Sequence, residues 1–123
     1  MTSHTVLLYV TDVAASAAYY AAVLDDQPLE QSPGFAMFSL APRLGLGLWR
    51  KDVIVPAATV PAGAAELGIR VDGPAEVDAT YAAWRERGAK IALEPTDLDF
   101  GRSFVAVDPD GHRLRVFTLN DEA

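Results

Sequence analysis

Charged and aromatic residues that could act on a ligand lie inside short segments of this sequence that alternate between apolar and other side chains. Glu66 and Arg115 occupy two such segments, and a partly buried charge needs either a charged partner or a bound ligand. A third segment alternates leucines with Gly45 and Gly47 and ends at Trp49. Glycine inside a strand often marks a close approach, so these residues favour a slot for a planar ligand. The alternative is that the glycines only relieve twist and that the indole ring belongs to a half-buried core.

The segments that must position these residues occur twice in the same order. Residues 4–50 and residues 65–118 each contain a strand, a helix and three further strands, and a connector rich in Pro, Val and Ala lies between them at residues 51–64. This order predicts a single α+β domain, residues 1–123, made of two βαβββ modules that form an open, cupped barrel of mixed strands with the helices outside. The predicted strands are His4–Val10, Leu29–Gln31, Phe35–Leu40, Leu44–Arg50, Ala65–Val71, Lys90–Leu93, Ser103–Val107 and His112–Phe117, and the predicted helices are Val13–Leu24 and the segment from Pro74 to Gly88.

The two halves align without a gap at their start, at an offset of 61 residues, which matches Val10 with Val71 (71 − 10) and Tyr20 with Tyr81 (81 − 20). Coincidence in an alanine-rich sequence is the alternative, but strand, helix and aromatic residue match together, which favours a true repeat. The long connector lets the modules pair within one chain or by exchange with a second chain. A homodimer, with or without domain swapping, is therefore expected.

Alternation also predicts which side of each strand faces a helix. The residues expected on the helix side are Val6, Leu8, Val10, Leu44, Leu46, Leu48, Leu67, Ile69 and Val71. Those expected on the other side are Thr5, Leu7, Tyr9, Gly45, Gly47, Trp49, Glu66, Gly68, Arg70, Arg113, Arg115 and Phe117. In the second helix, Val77, Tyr81 and Trp84 share one face, so Trp84 is expected in the core rather than at a ligand.

Composition limits the classes of function. The chain has 123 residues, half of them apolar, and a formal net charge of −7, which argues against binding to nucleic acid. Cysteine is absent, so disulfides, a thiolate nucleophile and a Cys-based zinc site are excluded. With neither a signal peptide nor an apolar run of membrane length, we expect a cytoplasmic protein without membrane contact.

Two stretches resemble a known superfamily. Asp108-Pro109-Asp110-Gly111 is a strong turn signal between two strands. With His112, which is expected to face solvent, and the alternating strand that follows, it resembles the C-terminal signature of the vicinal oxygen chelate superfamily. This superfamily includes glyoxalase I, extradiol dioxygenases and bleomycin-resistance proteins. The opening segment, with Thr11-Asp12 and Tyr19-Tyr20, resembles the N-terminal signature, so the resemblance covers residues 5–117.

Metal-dependent members of that superfamily hold the metal with one inward residue on each of four strands. Carried over by position, these sites fall at Thr5, at about Gly47, at Glu66 and at Arg115, and among them only Glu66 is a usual ligand. His4 is one residue out of register with the first site. The resemblance therefore implies that the metal site is lost and that no cofactor is needed. It also implies that Glu66 and Arg115 lie close together, as a ligand anchor or as a structural pair.

The nearest resemblance is to metal-free proteins that confer resistance to phenazine antibiotics. It is carried by residues 96–104 leading into the final turn, by Trp49 at the end of its strand and by the fifth strand, residues 66–69. In those proteins the flat drug stacks on aromatic side chains in a groove shared by two subunits. The ligand-binding residues so implied are Trp49, Gly47, Gly45, Phe35, Met37, Glu66, Arg115, Phe100, Arg102 and Phe104.

Three functions follow from these observations. The first is non-catalytic sequestration of a flat aromatic antibiotic or natural product, either a phenazine or the quinoxaline or quinoline chromophore of a peptide antibiotic, for self-resistance or delivery. The second is a metal-dependent lyase or dioxygenase, for which the ligand set is incomplete. The third is metal-free acid–base chemistry with Glu66 as the base, which is disfavoured because Arg115 stabilises the ionised carboxylate.

Overall fold

The computed structural model describes residues 2–120 and is an α+β fold, as the sequence predicts. Within these residues there are two four-stranded sheets and two α-helices, and none of the helices is long and apolar enough to span a membrane. The two βαβββ modules are confirmed. The elements are β1 (His4–Val10), α1 (Val13–Leu24), β2 (Glu30–Ser32), β3 (Phe35–Ala41), β4 (Leu44–Arg50), a 3₁₀ turn (Lys51–Val53), β5 (Glu66–Arg70), α2 (Pro74–Glu86), β6 (Lys90–Leu98), β7 (Gly101–Val107) and β8 (Arg113–Phe117).

The chain divides into two compact units, each with its own sheet. The first unit extends to Ala64 and includes the turn at 109–111, and the second contains residues 65–108 and continues from His112. The strand orders are β1-β4-β3-β2 and β5-β8-β7-β6, and in both sheets only the first pair of strands is parallel. Neither sheet closes on itself, and the equal topology is what the internal repeat predicts.

In the first unit, α1 has the predicted bounds because its ends carry local signals. The Asp12 carboxylate accepts a hydrogen bond from the backbone N–H of Ala15 at 3.1 Å, and Asp25 ends the helix in the left-handed conformation. The helix covers one face of the sheet, where Leu8, Val10, Ala36, Phe38, Leu46 and Leu48 are buried. The predicted helix side is therefore correct from Leu8 onward, whereas Val6 is 38% exposed.

In the second unit, the α2 residues Val77 and Trp84 are buried as predicted, and Phe104 lies against Trp84. The ring centroids of Trp84 and Phe104 are 5.4 Å apart at an interplanar angle of 88°. Tyr81 also packs on Phe104, just as its repeat partner Tyr20 packs on Phe38 in the first unit. The repeated tyrosines, Tyr20 and Tyr81, therefore pack against the core of each unit.

Strand β6 is longer than predicted, because it continues to Leu98 through Pro95. Proline cannot donate to a neighbouring strand, but β6 is an edge strand and its pairing with β7 shifts register between Leu93 and Thr96. An edge position and a bulge together accommodate Pro95 within the strand.

The turn between β7 and β8 corrects the prediction for His112, whose side chain is buried rather than solvent-facing. The Asp108 carboxylate accepts a hydrogen bond from the backbone N–H of His112 and also lies 2.9 Å from the imidazole Nδ1. The contact with Asp108 holds the imidazole ring in the interior, since a buried carboxylate needs more than one hydrogen-bond partner. Within the first unit, Asp110 binds the backbone N–H and the hydroxyl of Thr11.

Candidate functional site

The face of the first sheet opposite α1, here called the first helix-free face, carries the aromatic and glycine residues identified from the sequence. Register places Leu7 beside Gly47, and Phe35 beside Trp49. The rings of Phe35 and Trp49 are 6.1 Å apart between centroids at 85°, an edge-to-face contact. The residues that share this face are Thr5, Leu7, Tyr9, Phe35, Met37, Ser39, Gly45, Gly47 and Trp49. Five of the residues predicted to bind the ligand are therefore brought together on one surface of one unit.

The two glycines of β4, Gly45 and Gly47, which we call the glycine strip, are covered by side chains of neighbouring strands. A Cβ atom at Gly47 would stand 2.6 Å from Leu7 Cδ2 and 3.0 Å from the ring of Phe35. A Cβ at Gly45 would stand 2.9 Å from the sulfur of Met37. Side chains of the two neighbouring strands lean over the space that the glycines leave, because apolar groups gain contact by filling it. The surface at the glycine strip is thus formed by these side chains rather than by glycine backbone.

The helix-free face of the second sheet carries an ion pair. Arg115 Nε donates to Glu66 Oε2 at 2.8 Å, and Arg115 Nη1 donates to the hydroxyl of Ser103 at 3.0 Å. Arg115 is paired in register with Gly68, which lies two residues after Glu66 on β5. The predicted proximity of Glu66 and Arg115 is confirmed, and the partner hydroxyl of Ser103 is an addition that the sequence analysis missed. Its signal was the alternation of β7, which puts Ser103 on the same face as Arg115.

An aromatic pair stands beside this ion pair in the second unit. Phe117 lies over Gly68, where a Cβ would be 3.3 Å from its ring, and Phe117 meets Phe100 edge to face at 6.2 Å. Phe100, which was predicted to contact the ligand, is 41% exposed. An exposed aromatic ring held by a second ring is a surface on which a planar compound can pack.

Phe104 and Arg102, both predicted to contact the ligand, lie on the opposite face of β7 and point towards α2. Phe104 is fully buried in the core. Arg102 Nε binds Asp78 of α2 at 2.9 Å, and its Nη1 binds Asp97 of β6 at 2.9 Å. The hydrogen bond with Asp78, and then that with Asp97, raises the pKa of Arg102 above its ordinary value. Because side chains alternate along β7, the face that holds Ser103 cannot also hold its two neighbours.

We expect Arg102→Gln to lower the Tm and to leave ligand affinity unchanged, because this guanidinium links a helix to two strands and faces away from the helix-free side. Circular dichroism melting and a binding titration on the same protein sample measure both quantities. A fall in affinity without a fall in Tm would restore the ligand-binding role that the sequence resemblance implied.

The donor set of the second unit does not fit a bound metal. Glu66 is the one usual metal ligand among the four carried-over positions, and its carboxylate is engaged by the guanidinium of Arg115 at 2.8 Å. In the first unit, Thr5 supplies a hydroxyl and Gly47 supplies no side chain. Residues 2–120 contain no group of three or more His, Cys, Asp or Glu side chains placed to share an ion. The cation of Arg115 at a ligand position would repel a divalent ion, so these residues do not form a metal site.

Known proteins resemble this chain along its whole length. A sequence model of the glyoxalase/bleomycin resistance protein/dioxygenase superfamily matches residues 2–116. The chain is 28% identical to the phenazine antibiotic resistance protein EhpR of Enterobacter agglomerans over 123 residues, which cover 98% of this chain and 94% of that protein. Both similarities confirm the superfamily and the resemblance to a phenazine-resistance protein that the sequence motifs predicted.

Solved structures share the fold. A protein of Agrobacterium tumefaciens, determined by solution NMR, is 41% identical with a TM-score of 0.78, over 97% of this chain and 98% of that one. A glyoxalase/bleomycin resistance protein/dioxygenase from Nocardioides, determined by crystallography, is 25% identical with a TM-score of 0.84, over 100% of this chain and 86% of that one. From its sequence and its fold, the chain belongs to the glyoxalase/bleomycin resistance protein/dioxygenase superfamily.

Proposed function

We propose that this protein binds a flat aromatic natural product and holds it without transforming it, for resistance or for delivery to another protein. The observation that carries the proposal is the edge-to-face pair of Phe35 and Trp49 on the first helix-free face. Trp49 is half-buried, so part of the indole is held rigidly and part is accessible to a planar ring. The relative from Enterobacter agglomerans supports this choice of ligand, since it is named for resistance to phenazines, which are planar fused-ring compounds.

The surface around the indole suits an apolar planar ligand. Leu7 is 43% exposed beside the glycine strip, and the thioether of Met37 lies over Gly45. Methionine adapts its flexible, polarizable side chain to ligands of different outline. Such a surface favours contact with a ring system over any single polar group, and it accepts a quinoxaline or quinoline chromophore as well as a phenazine.

One aromatic wall is too little for useful affinity. An aromatic stack contributes roughly 0.5–1.5 kcal/mol beyond burial, whereas micromolar binding requires about −8 kcal/mol. We therefore propose that a second copy of the chain supplies the opposite wall, as a homodimer. β1 is an edge strand with Val6 and Leu7 more than one-third exposed, which gives a second copy an apolar edge to cover. Sedimentation equilibrium with and without ligand measures the oligomeric state, and a monomer in both samples would contradict the dimer.

Catalysis is the alternative, because the superfamily's own description includes enzymes as well as resistance proteins. The residues on the helix-free face of the second sheet favour binding over catalysis. Glu66, the one carboxylate at a carried-over ligand position, already accepts a hydrogen bond from Arg115, so its Oε2 is occupied by the guanidinium rather than directed at a substrate.

Tryptophan fluorescence tests the proposal directly. The chain contains two tryptophans, and Trp84→Phe leaves Trp49 as the single emitter. We expect saturable quenching of this EDTA-treated variant by phenazine-1-carboxylate or a quinoxaline antibiotic at micromolar concentration, with Zn²⁺, Mn²⁺ and Fe²⁺ causing no change. Mass spectrometry of the compound after prolonged incubation should return it unaltered. A modified compound, or turnover that appears with one of the metals, would replace sequestration by catalysis.

A further inference from the structure

A pocket of about 220 Å³ opens at one end of the first helix-free face, where β1 begins and the turn joins β3 to β4. All of its lining residues belong to the first unit. They are Ser3, His4, Thr5, Leu29, Met37, Ser39, Ala41, Arg43, Leu44 and Gly45. Met37 and Gly45 belong to the predicted ligand-binding residues, whereas the polar residues of the pocket do not.

The polar lining of this pocket suits an anion. It offers the guanidinium of Arg43, the imidazole of His4 and three hydroxyl groups, and none of the described lining residues is acidic. The whole chain has a net charge of −7 and 17 acidic residues, so a pocket lined by no acidic residue differs from the rest of the protein. Among residues 2–120, Arg43 forms no ion pair with a carboxylate, in contrast to Arg50, Arg102 and Arg115. Its guanidinium donors are therefore available to a bound carboxylate.

The backbone conformation at Arg43 is one that arginine rarely adopts. Its φ is 62°, the left-handed region that glycine or asparagine adopts most readily. Its carbonyl oxygen accepts the backbone N–H of His4 at 2.9 Å, which ties the turn to the first strand. A bulky residue kept in a strained turn points to a use for its side chain, and the pocket supplies one.

The pocket continues the proposed ligand surface, because Met37 and Gly45 belong both to the pocket lining and to the first helix-free face. A planar ring lying along the glycine strip would direct a substituent at its edge towards Arg43. We propose that this pocket takes the carboxylate of an aromatic acid, with Arg43 as its ion-pair partner, and so selects acidic over neutral planar compounds. This inference rests on the proposed function and names the chemical class of its ligand.

The test compares two probes that differ in charge, phenazine-1-carboxylate and phenazine-1-carboxamide, by titration of the full-length protein. We expect the wild type to prefer the carboxylate, and Arg43→Asn, which suits the positive φ, to lose about three- to tenfold in affinity for the carboxylate alone. Arg43→Lys should keep part of the preference, since the positive charge remains. Arg85→Gln, on the exposed surface of α2, is the matched control for loss of a positive charge.

The outcomes separate this inference from the function on which it rests. If the wild type binds neither probe, the proposed function fails and the inference fails with it. If it binds both probes equally, or if Arg43→Asn weakens both equally, binding stands and the anion pocket is wrong. Arg115→Gln distinguishes Arg43 from Arg115 as the partner of the carboxylate. If Arg115→Gln loses the preference for phenazine-1-carboxylate and Arg43→Asn keeps it, the carboxylate binds in the second unit instead. Should Arg43→Asn melt early, Arg43→Gly repeats the measurement without strain in the turn.

Discussion

Gly101→Ala is expected to lower the free energy of unfolding by about 3 kcal/mol or more, which is the largest loss of stability that we predict for any substitution. Gly101 has a φ of 150°, which side chains rarely adopt, and its added Cβ would collide with the carbonyl oxygen of Thr118. The same Cβ would stand 3.0 Å from Leu119 Cα. These are backbone atoms, and Thr118 is itself fixed by its hydrogen bond to the carbonyl of Arg102 at 3.0 Å. The collision therefore cannot be relieved by turning a side chain.

Urea unfolding followed by circular dichroism measures this effect, and Gly73→Ser is the matched control. Gly73 has a φ of −161° with no atom within 4 Å of an added Cβ. It also caps α2 without a side-chain hydrogen bond, so serine there should leave stability unchanged or raise it by up to about 1 kcal/mol. Equal stability of the two variants would mean that the segment after Phe117, which contains Thr118 and Leu119, moves freely away from Gly101.

Trp49→Ala is expected to weaken the binding of a planar aromatic ligand by about 10- to 100-fold. The indole supplies a stacking surface and apolar area, together about 1.5–3 kcal/mol, and removal of its edge-to-face partner also loosens Phe35. Because the substitution removes the fluorescent reporter, affinity is measured by calorimetry or by the absorbance of the ligand. Stability should fall less than for a core residue, since Trp49 is only half-buried.

Trp84→Phe is the control that separates stacking from general damage. Trp84 is 5% exposed and packs on Phe104, so its replacement is expected to cost about 1–2 kcal/mol of stability without a change in affinity. If affinity follows Trp84 instead, or survives the loss of Trp49, the ligand does not lie on the first helix-free face. The aromatic pair of Phe100 and Phe117 in the second unit is then the next surface to examine.

Local patterns in the sequence determined the elements and most of their faces. Asp12 and Asp25 mark both ends of α1, and alternation assigned Leu8 and Leu46 to the buried side and Trp49 to the other. The repeat identified the two modules, because each helix packs on strands that lie close to it in the sequence. The proximity of Glu66 and Arg115 was likewise anticipated, through the family's arrangement of strands.

Tertiary structure alone decided what each of these side chains touches. Whether Gly45 and Gly47 are bare or covered depends on Met37, Leu7 and Phe35 of neighbouring strands, whose rotamers follow from packing and not from spacing in the chain. The carboxylates that pair with Arg102 belong to a helix and an edge strand. His112 is buried because it contacts Asp108 of the same turn. The pocket at Arg43 exists because one turn and the start of β1 meet in space. Periodicity fixes the direction of a side chain, whereas its partners depend on strand register and on which surfaces meet, and these are properties of the assembled sheets.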